Sequence, residues 1–219
     1  IVAAVSPEIK IFSKEDSPSA REPKIITHVT LDKGDACSQV NNGRWETDIK
    51  YTIIGSKAFL DCIRLALIAI PDLITKIGAS SFSGCISLTS ITFNQKNSNL
   101  ISIGTEAFKN CNILTSINIP DNVTIIGNNA FAGCGGLTSI TFGEQSALKT
   151  IGDVAFSSCT LLESIEIPDK VESIGSNAFA SCTSLTSIVI PNSVTSIGEK
   201  AFDGCTGLVS IEIPDSSKV

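Results

Sequence analysis

The chain has 219 residues, with 16 Lys and Arg against 22 Asp and Glu, a net charge of −6. That balance argues against a nucleic-acid partner, because counterion release from phosphates needs clustered basic side chains. Apolar residues make up 42% of the chain and charged residues 17%, enough for a sizeable core, yet no uninterrupted apolar run of about 18 residues predicts a membrane span. The chain begins at Ile1 and contains no Met, which reads as a processed product with any signal peptide or anchor outside it.

Residues 1–24 carry Pro7, Pro18 and Pro23 among dispersed charges and read as a linker, with a short strand around Glu8 to Phe12. The next piece, with Ile26, Val29 and Leu31, is expected to be a first rung. It is followed by a turn-rich stretch from Asp32 to Asn42. Trp45, Thr47, Ile49 and Tyr51 then alternate with other residues, as in a strand with one buried face. Residues 25–50 are taken together as an N-terminal cap.

From residue 51 to 219 one frame recurs: Ile-Gly, two variable residues, Ala-Phe, two variable residues, Cys, two more, Leu, two more, Ile-x-Ile-Pro, two more, Val. The Ile-Gly pair begins at Ile54, Ile77, Ile103, Ile126, Ile151, Ile174 and Ile197, so the steps are 23, 26, 23, 25, 23 and 23 residues. Seven units of this period predict a solenoid of stacked rungs, mainly β, with the last unit ending in mid-repeat. The Leu-x-x-Ile-x-Ile segment alternates as a strand does. Pro ends it, Gly is expected to permit a tight turn, and the Ala-Phe-x-x-Cys stretch suits a short helical or 3-10 turn on the outer side. Two connectors are longer than the others: Phe93 to Leu100 and Phe142 to Leu148, where Phe replaces Ile and Pro is absent. The spacing of Ile213 to Val219 leaves an uncapped C-terminal edge, open to self-association.

Seven of the eight cysteines, Cys62, Cys85, Cys111, Cys134, Cys159, Cys182 and Cys205, occupy one position of successive units. Parallel side chains in a ladder suit the near-90° disulfide dihedral poorly, so free buried thiols are expected, acting as small apolar fillers. Cys37 stands outside the ladder, and a disulfide from it to Cys62 is the alternative at that end. No Cys-x-x-Cys or spaced His pair suggests a metal. His28 is the only histidine, so no catalytic triad can be assembled without it. No cofactor is expected, and the chain does not read as an enzyme.

The face that the strands turn outward is the better candidate site. One variable row runs through Ala69, Thr92, Asn118, Thr141, Glu166, Val189 and Glu212, beside a second row of Leu67, Ser90, Ser116, Ser139, Ser164, Ser187 and Ser210. Thr92, Asn118, Thr141, Glu163, Glu166, Val189 and Glu212 are the candidate partner-binding residues. Their acidic end should favour a basic protein, and Val189 offers a small apolar contact.

The repeated frame resembles the BspA-type, or Treponema pallidum-type, leucine-rich repeat of bacterial and protozoan cell-surface proteins, over residues 51–219. The resemblance implies a right-handed leucine-rich-repeat stack with a concave parallel sheet, in a secreted or surface-attached protein. It further implies adhesion through binding of host matrix or cell-surface proteins. A structural spacer displaying another domain is the alternative reading. The family is defined by scaffold positions, so the resemblance transfers no ligand-binding residue to this chain.

Overall fold

The computed structural model describes residues 52–95 and 97–213, together with the backbone of two N-terminal strands, Ile9–Ser13 and Ile25–Ile26. Each repeat unit forms one turn of a parallel β-solenoid with two extended pieces. The longer pieces are Leu65–Ile70, Ser90–Phe93, Ser116–Ile119, Ser139–Phe142, Ser164–Glu166, Ser187–Val189 and Ser210–Glu212. The shorter ones, two residues each, immediately precede the repeated Gly, from Ile53–Ile54 to Ser196–Ile197. The repeated frame of successive units puts like residues opposite one another: Ile140 faces Ile117 on one side and Ile165 on the other, and Ile188 faces Ile165 and Ile211. The seven short pieces make one continuous sheet. The longer ones are divided, with five strands from Ser116 to Glu212 in one sheet and the two before them in another. The division falls at the widest step, where the longer connector at 94–99 stands.

The strand expected near residues 8–12 is present at Ile9–Ser13, but it is not free-standing linker. It pairs antiparallel with Leu65–Ile70, Ile11 opposite Ile68 and Phe12 opposite Leu67. Ile25–Ile26 pairs antiparallel with it in turn, so this segment does not form the first parallel rung. The parallel stack begins with Ile53–Ile54 and Leu65–Ile70. His28, Cys37 and the alternating stretch from Trp45 to Tyr51 lie outside the described residues.

The core is a set of columns. Phe59, Phe82, Phe108, Phe131, Phe156 and Phe179 are fully buried, and Phe202 packs against them from the last unit. Successive rings stack within 14° of parallel, with centroid separations that widen steadily from 4.9 Å at Phe59–Phe82 to 5.6 Å at Phe179–Phe202. Leu and Ile columns complete the interior. Since the side chains of one rung have apolar neighbours in the rungs above and below, burial that a single rung could not achieve is reached by stacking.

The repeated Gly has a different cause from the one its sequence suggests. Gly127 does not need a left-handed backbone. Its N–H donates to the Ile103 carbonyl at 2.8 Å, and a Cβ there would lie 2.7 Å from the Gly104 carbonyl carbon and the Thr105 nitrogen. The column is glycine because successive backbones touch at this point.

The outer segment is not the helical or 3-10 turn expected from the spacing of Phe and Cys; no described residue is helical. In the third unit Glu106 (φ 56°) and Asn110 (φ 60°) are left-handed, which stops a right-handed helix from propagating. Ala107, Lys109 and Cys111 donate three residues back within the segment, to Gly104, Glu106 and Phe108. Glu106, Phe108 and Asn110 donate instead to Asn128, Ala130 and Ala132 of the next unit, each at 2.8 Å. Alternate N–H groups thus close the turn and tie the rungs, forming a third ladder that leaves these donors satisfied.

Threonine side chains reinforce the sheets. Thr138 donates both its N–H (2.9 Å) and its hydroxyl (3.0 Å) to the Thr115 carbonyl. Thr89, Thr124, Thr186 and Thr195 make the same double donation to their preceding units.

Candidate functional site on the concave sheet

The sheet register brings together most of the residues expected to form a binding face. Thr141 lies opposite Asn118, and Glu166 opposite Val189, which lies opposite Glu212. Ser116, Ser139, Ser164, Ser187 and Ser210 form an unbroken neighbouring row. Thr92 is separated from this group: it pairs with Ala69, on the other side of the sheet division. Glu163 precedes its strand and stands outside the row of Glu166, its carbonyl accepting the N–H and hydroxyl of Thr186. Thr92, Asn118, Thr141, Glu163, Glu166, Val189 and Glu212 are all exposed. Strands in a sheet are about 4.8 Å apart, so Glu166 and Glu212, two strands removed, stand roughly 10 Å from each other.

At the edge of this face the second long connector builds a groove of about 580 Å³. One wall is the loop Gly143, Glu144, Gln145 and Ser146; the other is Pro168, Asp169 and Lys170; Ile140, Thr141, Phe142, Glu166 and Ile167 line it between them. The loop is held from below by Asp121, whose carboxylate accepts the Gln145 N–H at 2.9 Å and whose carbonyl accepts the Ala147 N–H at 2.7 Å. Gly143 donates to the Ile119 carbonyl and the buried Ser146 to the Gly143 carbonyl. Across the groove, Lys170 Nζ donates to the Gln145 carbonyl at 3.4 Å. Two of the expected residues, Thr141 and Glu166, therefore belong to a concavity whose other members were missed. The signal lay in the 25-residue step and the absent Pro, which marked an insertion but not its conformation.

The first long connector is fastened in a similar way to the Asp that follows Pro in the preceding unit. Asn94 Nδ2 donates to the Asp72 carboxylate at 3.0 Å and Asn99 Nδ2 to the Asp72 carbonyl at 2.9 Å. Gln95 reaches forward to the Asn118 carbonyl at 3.2 Å, and Asn122 reaches back to the Ser98 carbonyl at 2.8 Å. The two inserted loops thus flank the regular turn at Pro120 on one edge of the solenoid.

The cysteine column is more than filler. Cys85, Cys111, Cys134, Cys159, Cys182 and Cys205 are free, and each Sγ donates to the carbonyl of the Phe in the preceding unit, from Cys205 to Phe179 at 3.0 Å to Cys159 to Phe131 at 3.4 Å. Burial pushes the Cys85 and Cys182 thiols up to about 12. Cys62 differs from the rest of the column in being disulfide-bonded. The free thiol expected at this position is therefore not found; the partner of Cys62 lies outside the described residues, as does Cys37, the alternative partner considered for it. Among the described residues no group of His, Cys, Asp or Glu is arranged to hold a metal ion, and no helix is long and apolar enough to cross a membrane.

The fold resembles several solved structures, among them these two. The Treponema pallidum leucine-rich repeat protein is 31% identical, with a TM-score of 0.54 over 68% of this chain and 63% of its own. A leucine-rich repeat protein from Bacteroides ovatus is 26% identical, with a TM-score of 0.55 over 94% of this chain and 64% of its own. The chain therefore spans a little under two thirds of either protein. No curated protein matches it. The family model for the BspA type leucine rich repeat region matches residues 52–161 and 101–219, in six copies. With its columns, its two parallel ladders and its repeated frame all in register with that match, the chain belongs to the BspA-type leucine-rich repeat family.

Proposed function

We propose that this chain is a protein-binding module of a secreted or surface-attached protein, recognising matrix or cell-surface proteins through its concave sheet. The observation that carries the reading is the exposed run of Asn118, Thr141, Glu166, Val189 and Glu212 on consecutive strands, continuous at one edge with the groove beside Glu166. Leucine-rich-repeat solenoids commonly present such a sheet to a partner protein. Location outside the cell is supported by the disulfide at Cys62, since disulfides persist in oxidising compartments. The free thiols are compatible with such a compartment, because five of the six are buried and each of the six donates to a backbone carbonyl.

The proposal is tested by binding to immobilised matrix proteins and to whole cells, with a Glu166→Lys, Glu212→Lys double variant beside the parent chain. Reversing two exposed charges on the recognition face should weaken binding by roughly tenfold or more, and binding should fall with added salt. Retained binding in the double variant would move the recognition site off this face. Absence of binding by either protein would favour the spacer role, in which the solenoid positions another domain.

A further inference from the structure

The concave sheet carries the protein-binding reading, and this inference rests on it while naming the chemistry of the partner. The groove at its edge is acidic. Glu144, Glu166 and Asp169 contribute three carboxylates to its lining against the single ammonium of Lys170, and that ammonium is directed to the Gln145 carbonyl at 3.4 Å. The other inserted loop, Asn94 to Asn99, contains a lysine and no carboxylate. Insertion alone therefore does not make an acidic groove; the residues of this one do.

Its volume, about 580 Å³, falls within the range of roughly 300 to 1,000 Å³ typical of pockets that enclose a ligand. Its walls are not uniformly polar. The half-buried Phe142 ring and Pro168 offer apolar surface on which the methylene stem of a long cationic side chain can lie while its head meets carboxylates. An aromatic face also attracts a guanidinium. Because the loop is already fixed by Asp121 through bonds of 2.9 Å and 2.7 Å, closing on a ligand would order little additional backbone.

We propose that this groove receives an arginine side chain from an extended segment of the partner protein, its guanidinium held by Glu166 and Glu144 and its stem on Phe142 and Pro168. The flanking part of that segment then crosses the sheet, within reach of Thr141 and Asn118.

The test uses the full chain, labelled with 15N, and a blocked peptide Gly-Ser-Arg-Ser-Gly, with the peptide bearing norleucine in place of arginine as its neutral counterpart. The arginine peptide should produce saturable amide shifts at Gly143, Gln145, Ser146, Asp169 and Lys170. Raising NaCl from about 50 to about 500 mM should weaken its binding several-fold, as screening predicts. A Glu144→Gln, Glu166→Gln double variant should weaken it by roughly tenfold, while Glu199→Gln, on the outer side, should not. All of these side chains are exposed, and unchanged amide shifts away from the groove verify that the variants remain folded. Equal shifts from the norleucine peptide, or no shifts in the groove, would overturn the proposal. If the arginine peptide fails while matrix binding is still lost in the Glu166→Lys, Glu212→Lys variant, the groove assignment falls and the protein-binding reading stands. If the panel also shows no binding, both fall.

Discussion

Ser81 occupies the position held elsewhere by Ala58, Ala107, Ala130, Ala155, Ala178 and Ala201. It is fully buried, and its hydroxyl has no hydrogen-bond partner among the described residues. An unsatisfied buried polar group costs about 1 to 3 kcal/mol, and alanine is already the residue this column accommodates. Ser81→Ala should therefore stabilise the fold by about 1 kcal/mol or more, read as a higher urea midpoint with unchanged slope; a lower midpoint would mean that the hydroxyl has a partner. Cysteine shows what sequence conveys at this scale and what it does not. The spacing placed all seven in one column, and their burial follows from that. The donation of each free Sγ to a Phe carbonyl does not, because it depends on how far one rung is offset from the next. The glycine column was likewise legible in position but not in cause.

The outer turn was the element most misread. Phe and Cys three residues apart match helical spacing, yet two left-handed residues per unit give the segment an alternating hydrogen-bond pattern instead. A compositional sign was present: Asn110, Asn129, Asn177, Gly84, Gly133 and Gly204 occupy these positions, and Asn and Gly are the residues that enter this conformation most readily. Val154 does so at φ 58°, where a β-branched side chain is a genuine outlier. Replacing it by the residue found at the same place in the neighbouring units, Val154→Asn, should raise stability by about 1 kcal/mol, since the left-handed region costs an L-residue roughly 1 to 2 kcal/mol. A melting temperature that rises by a few degrees would bear this out; a fall would show that the half-buried Val side chain contributes more through packing than its backbone costs. The groove follows the same division. Its insertion could be counted from the repeat step, whereas its shape depends on Asp121, one unit earlier, which no local pattern marks.

At the scale of the whole molecule the repeat made the architecture legible, because seven in-register copies permit little besides stacking. The N-terminal strands were not legible in the same way, since an antiparallel pairing outside the frame has no periodic signal. One property belongs to the stack as a unit. Burial raises the Cys85 and Cys182 thiols to about 12 and also raises Cys159 and Cys205, while Cys111 is raised first by its hydrogen bond with Cys134 and then by burial. Unfolded thiols ionise near pH 8.5. Below about that pH both states hold their protons and the fold has its full stability; above it the unfolded chain releases protons that the native state retains. Each fully buried thiol then removes about 1.4 kcal/mol per pH unit until its folded value is reached, and the partly exposed Cys205 removes less because solvent screens it. The melting temperature should therefore fall steeply from about pH 8.5 upward, and a Cys85→Ala variant should show a shallower decline; an unchanged melting temperature up to about pH 11 would contradict the burial of these groups.

The longer connectors at 94–99 and 143–147 lengthen their units to 26 and 25 residues without displacing the Phe, Cys or shorter-strand columns. Variation in length is thereby confined to a single margin of the molecule, and the columns behind it do not register what is written there. The turns at Pro168–Val171 and Pro191–Val194 lie on the same margin in unlengthened form, closed by the Val171 and Val194 N–H donating to the Pro168 and Pro191 carbonyls. A foreign loop grafted at either turn would be carried on this margin without renegotiating the fold, so a lineage of such proteins can rewrite one border and leave the text of the repeat intact.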